Sequence, residues 1–136
     1  MEREAEVVAK KILIVDDEPH IVRLLASRLR ADNYEVRVAC DGYQCIKVAR
    51  EERPDLIILD IKMPAGGGLH AFETLRALPD TLITPVIFIT AYASEEIRKQ
   101  VLEMGAEDFV AKPFDSDDLL RKVRKALGEE PEPLRT

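Results

Sequence analysis

The chain has 136 residues, of which 46% are hydrophobic and 34% charged, with a formal net charge of -6. That length suits one domain whose core needs no disulfide staples, no stretch approaches the roughly 20 apolar residues of a membrane-spanning helix, and the acidity argues against direct contact with nucleic-acid phosphates. Cys40 and Cys45 are too few for a disulfide framework or a structural zinc site, and no signal-peptide pattern opens the chain, so a cytoplasmic protein is expected.

Residues 1–10 carry no core pattern and read as an N-terminal extension to a domain over 11–127. Ile12-Leu13-Ile14-Val15 is the first predicted strand, and Ile21, Leu24, Leu25 and Leu29 give the helix after it one buried stripe. Val36-Arg37-Val38-Ala39 is the second strand, and its alternation from Tyr34 onward places it at a sheet edge. Leu56-Ile57-Ile58-Leu59 is the third, continuously apolar as a strand covered on both faces should be. Gly66-Gly67-Gly68 is followed by no Lys-Ser/Thr, so it reads as a flexible loop before the third helix rather than a phosphate cradle.

Val86-Ile87-Phe88-Ile89 is the fourth strand. Ser94 ahead of Glu95 and Glu96 caps the fourth helix, whose stripe is Ile97, Val101 and Met104. Phe109-Val110-Ala111 is the fifth strand, and Ser116 ahead of Asp117 and Asp118 is expected to cap a last helix with Leu119, Val123 and Leu127 inside. Arg121, Lys122, Arg124 and Lys125 read as its solvated face, and His20 and His70 as surface residues near helix starts. Residues 128–136 include Glu129-Glu130-Pro131-Glu132-Pro133, a charged, proline-broken linker expected to lead to a further module.

Strict strand-helix alternation predicts an α/β, doubly wound (βα)5 flavodoxin-like three-layer sandwich around a parallel five-stranded sheet of order 2-1-3-4-5. In such a sheet, ligands bind at the strand C-terminal ends. Asp16 and Asp17 follow the first strand, and Asp60, Thr90 and Lys112 end the third, fourth and fifth, so the topology gathers all five residues in one crevice. Clustered carboxylates repel one another, and a hard divalent cation with a taste for oxygen relieves that repulsion, which points to Mg²⁺, with Mn²⁺ as an alternative.

Val15-Asp16-Asp17-Glu18-Pro19, Asp60-Ile61-Lys62-Met63-Pro64 with Gly68, Thr90-Ala91 and Lys112-Pro113-Phe114 together resemble response-regulator receiver domains of two-component signalling, the chemotaxis regulators among them. The resemblance covers residues 11–127 and shows no departure at the five principal positions. It implies a signalling phosphoprotein, not an enzyme in the usual sense, that promotes its own phosphorylation and dephosphorylation. Asp60 would be the phosphoacceptor. Asp17 and the Lys62 backbone carbonyl would join Asp60 on Mg²⁺, with Asp16 acting through metal-bound water. Thr90 and Lys112 would hold phosphoryl oxygens, and the Lys112-Pro113 peptide would be cis. Thr90 and Phe109 would form a switch that alters the fourth helix, fifth strand and fifth helix, the surface of an expected homodimer. Lys62 and Tyr92 would flank the path of attacking water and set the phosphoryl lifetime. A histidine kinase or phosphotransfer domain would be the donor, and no nucleic acid or membrane partner is expected.

Three other readings share parts of this pattern. A phosphohydrolase of the haloacid-dehalogenase type needs a second Asp two positions after the first, where Lys62 stands. A flavin carrier needs hydroxyls and glycines in the first loop, where Asp16-Asp17-Glu18-Pro19 would repel a phosphate. A non-phosphorylated interaction domain on the same fold is opposed by the intact set of Asp60, Thr90 and Lys112.

Overall fold

The computed structural model describes residues 8–64 and 67–129. Five strands alternate with five helices: β1 Lys11–Val15, α1 Pro19–Ala31, β2 Glu35–Ala39, α2 Gly42–Glu52, β3 Leu56–Asp60, α3 Gly67–Ala77, β4 Val86–Thr90, α4 Glu95–Glu103, β5 Asp108–Ala111 and α5 Ser116–Ala126. The strands pair in parallel in the order β2-β1-β3-β4-β5, as expected, with β2 at the edge. Among the described residues no helix is long and apolar enough to cross a membrane.

Apart from Lys11, Asp60 and Thr90 at their ends, the central strands β1, β3 and β4 are apolar because each of their faces meets a helix layer. Ile12, Ile14, Ile58, Ile87 and Ile89 pack with Leu25 and Leu29 of α1 and Leu119, Leu120 and Val123 of α5. Leu13, Val15, Ile57, Leu59 and Phe88 pack on the other face with Phe72 and Leu75 of α3 and Val101 of α4. Full burial of each such side chain contributes about 1.5–3 kcal/mol. The edge position of β2 shows in Val38, which is 43% exposed although Val36, two residues earlier, is buried.

The structure corrects three details. Leu24 is 57% exposed and lines a surface groove with Ile21, Pro113 and Phe114, because the buried line of α1 runs through Leu25, Ala26 and Leu29, one step round the helix. Asp115, not Ser116, caps α5: its Oδ1 accepts from the Asp117 and Asp118 N–H groups at 2.8 and 3.2 Å, and Ser116 is the first helical residue. Gly67 and Gly68 belong to the first turn of α3 rather than to a loop, while Gly66 lies outside the described residues. The reason is contact: a Cβ on Gly68 would meet the Asp60 carbonyl oxygen at 2.0 Å, so only glycine lets α3 begin against the end of β3.

Candidate functional site

Parallel strands end on one edge of the sheet, and that edge assembles the site. Asp16 follows β1, Asp60 closes β3, and Thr90 closes β4; all three are buried, whereas Asp17 is exposed at the rim. Lys112 follows β5, its N–H donates to the Thr90 carbonyl at 2.8 Å, and its peptide bond to Pro113 is cis.

The Lys112 ammonium is the centre of the charge arrangement. It lies 2.8 Å from Asp16 Oδ2, 2.9 Å from Glu18 Oε1 and 3.2 Å from Asp60 Oδ2, and its side chain is 7% exposed. Burial works against its charge, but the contacts with Asp16 and Glu18 and the charges of Asp16 and Asp60 outweigh that and raise its pKa. The hydrogen bond to Lys112 lowers the pKa of Glu18. Asp60 goes the other way: burial, then repulsion from Asp16, push its carboxyl up to about 6, against the pull of Lys112 and of the Lys62 N–H. That N–H donates to Asp60 Oδ1 at 3.3 Å. Sequence reasoning does not single out Glu18 as a site residue; its position directly after the acid pair is the signal that could have found it.

One oxygen each from Asp16, Asp17 and Asp60 lies within 4.8 Å of the others. Asp16 Oδ1 accepts from the Glu18 N–H at 2.9 Å, but buried Asp16 Oδ2 accepts no aligned hydrogen bond; its contact with Lys112 is one of charge. Three clustered carboxylates, those of Asp16 and Asp60 buried, form a hard, anionic donor set that fits a divalent cation such as Mg²⁺.

Thr90 Oγ1 accepts from the Tyr92 N–H at 3.1 Å, so the hydroxyl is held at the end of β4. The Lys62 ammonium sits 4.0 Å from the centroid of the exposed Tyr92 ring, a cation–π contact, and among the described residues it pairs with no carboxylate. Phe109 is farther off, 8% exposed in the core cluster beneath α4. The structure therefore brings Asp16, Asp17, Asp60 and Lys112 together, holds Thr90 at the adjacent strand end, sets Lys62 and Tyr92 as a pair, and leaves Phe109 in the core.

The model of the response regulator receiver domain matches residues 12–124. The chain is 39% identical over 118 residues to the alkaline phosphatase synthesis transcriptional regulatory protein PhoP of Bacillus subtilis, covering 87% of this chain and 48% of that protein. It is 39% identical over 122 residues to the probable transcriptional regulator ycf27 of Cyanophora paradoxa, covering 90% of this chain and 50% of that one. The chain thus spans about half the length of these relatives. Among solved structures, a putative response regulator of Chloroflexus aurantiacus superposes with a TM-score of 0.84 at 30% identity, covering 89% of this chain and 99% of that one. The receiver domain of a sensor histidine kinase of Pseudomonas aeruginosa, solved with a magnesium ion coordinated in its active-site cleft, superposes with a TM-score of 0.81 at 31% identity, covering 89% and 99%. The family model, the sequence relatives and the superposed structures agree, and the chain belongs to the response regulator receiver domain family.

Proposed function

We propose that the chain accepts a phosphoryl group on Asp60 from the phosphohistidine of a histidine kinase or phosphotransfer domain. The observation that carries this reading is the Asp60 carboxylate itself, buried at the end of β3 with Lys112 Nζ at 3.2 Å. An Asp60 oxygen bonds to phosphorus as the phosphorus–nitrogen bond of the donor breaks and the leaving imidazole nitrogen takes up a proton. Little covalent chemistry is asked of the protein; orientation and positive charge on the equatorial oxygens do most of the work. Lys112 supplies one such charge, and the Thr90 hydroxyl offers a hydrogen bond at the neighbouring strand end. Asp17, Asp60 and the Lys62 carbonyl would hold Mg²⁺, with Asp16 acting through bound water. When bound, the ion supplies the charge that lets an anionic donor approach three carboxylates.

After transfer, Thr90 and Phe109 act as the switch, whose inward and outward arrangements shift in population and alter the face of α4, β5 and α5, where a homodimer forms. The half-length match to transcriptional regulators supports an output module beyond the domain of residues 11–127. The free thiols of Cys40 and Cys45 fit a reducing cytoplasm. Lys62 and Tyr92, held against one another, cover the approach of water in line with the Asp60–phosphorus bond and slow self-dephosphorylation.

Acetyl phosphate with Mg²⁺, followed by intact-mass measurement, tests the proposal. One phosphoryl group should be gained, and none by Asp60→Asn or in chelator. Equal labelling of Asp60→Asn would overturn the assignment.

A further inference from the structure

Glu18 is the N-cap residue of α1, yet its side chain accepts no capping hydrogen bond, and the first turn holds no acid of its own. Pro19 has no N–H to give and the Ile21 and Val22 N–H groups donate to the Glu18 backbone carbonyl, so the helix dipole is the main attraction that end offers the carboxylate. The carboxylate turns instead to Lys112, 2.9 Å away. Of the three carboxylates around the ammonium, Asp16 and Asp60 belong to the group that fits a cation, and Glu18 does not. Their side chains are 0% and 5% exposed, whereas that of Glu18 is 45% exposed and free to follow the lysine.

The ammonium touches Oδ2 of both Asp16 and Asp60. A divalent cation taking oxygens from the same two carboxylates meets that positive charge a few ångströms away, in a crevice that screens it poorly. Resting on the phosphoacceptor reading above, we propose that Glu18 is a positioning residue: it draws the Lys112 ammonium off Asp16 and Asp60 when a divalent cation needs them, and holds it at the crevice rim beside the phosphoryl group. Glu18 thereby sets how strongly Lys112 competes with Mg²⁺. Without it the ammonium has only the cation's own ligands as partners.

The test is a double-mutant cycle on the full chain, with Mg²⁺ affinity read by titration calorimetry in the absence of any phosphodonor. Glu18→Gln should weaken Mg²⁺ binding about threefold to tenfold. Glu18→Asp keeps the charge but shortens the reach by one methylene, and should weaken binding similarly. Lys112→Met, which keeps side-chain volume, should tighten it, and in that background either Glu18 substitution should change affinity by less than about twofold. Wild-type affinity for Glu18→Asp would reduce Glu18 to a distant charge and overturn the proposal, as would equal losses with and without Lys112. Acetyl phosphate labelling keeps the two claims apart. A wild type that binds Mg²⁺ but is not labelled refutes the phosphoacceptor reading while the calorimetric cycle still judges Glu18. A wild type that binds no Mg²⁺ refutes both.

Discussion

Burial and the neighbouring Asp16 hold the Asp60 carboxyl at about 6, above its ordinary 3.8. In metal-free buffer the folded chain therefore binds more protons than the unfolded chain between about pH 4 and 6, and this group's contribution to stability is lost as pH rises through that window. Asp60→Asn removes the titration. It should be more stable than wild type at pH 7 in chelator, by on the order of 1–3 kcal/mol, with the gap closing toward pH 4. Urea denaturation at several pH values measures both. The same proton competes with a cation, so Mg²⁺ affinity should rise from pH 5 to 7. On the proposed reading, Lys112→Met acts in opposite senses on metal and on signalling: it would relieve competition for Asp16 and Asp60, but would remove a positive charge from beside the phosphoryl oxygens. It should bind Mg²⁺ more tightly yet show a weaker amide-shift response to a fluoroberyllate mimic, and an unchanged response would count against its assigned role.

At the scale of elements, the corrected details separate experimentally. Asp115→Ala should cost about 1 kcal/mol through loss of the α5 cap, and Ser116→Ala close to nothing. Leu25→Ala should cost about 2–5 kcal/mol, whereas exposed Leu24→Ala should stay within about 0.5 kcal/mol. Gly68→Ala sets a methyl against the backbone of Asp60 and Ile61, where no flexible side chain can give way, and should lower the melting temperature more than either cap variant. These details also mark the limit of legibility. Strands and helix stripes were readable because apolar spacing reports which face is buried. Which of two adjacent capping residues takes the N–H groups, and which of two adjacent leucines faces inward, turns on a one-residue register that spacing alone does not resolve. The close approach of Gly68 to β3 depends on how two elements pack.

For the whole molecule, topology explains why the site was so readable. In a parallel sheet of this order, residues far apart in the chain meet because their strands end together, so Asp16, Asp60, Thr90 and Lys112 were located once the strands were. Partners set by rotamer choice were not, and the Glu18–Lys112 and Lys62–Tyr92 contacts fall in that class. Because the carboxylates repel one another in a crevice where the ends of β1, β3, β4 and β5 meet, whatever neutralises them steadies the whole domain. Mg²⁺ at 100 times its dissociation constant should add about 2.7 kcal/mol, visible as a rise in melting temperature that Asp60→Asn diminishes.

The Lys62–Tyr92 contact has an optical side. The chain has no tryptophan and three tyrosines, so its near-ultraviolet emission comes from Tyr34, Tyr43 and Tyr92 alone. Tyr34 is buried, with its hydroxyl donating to Glu129, and Tyr43 stands at the start of α2 with its ring in solvent. Among the described residues, Tyr92 is the one tyrosine that carries an ammonium on its face, two residues beyond the strand end that holds Thr90. Any rearrangement of Lys62 or Thr90 changes the field on that ring. The protein thus contains its own fluorophore for the crevice: emission should change on adding Mg²⁺ or a fluoroberyllate mimic, and the change should vanish in Tyr92→Phe while persisting in Tyr43→Phe.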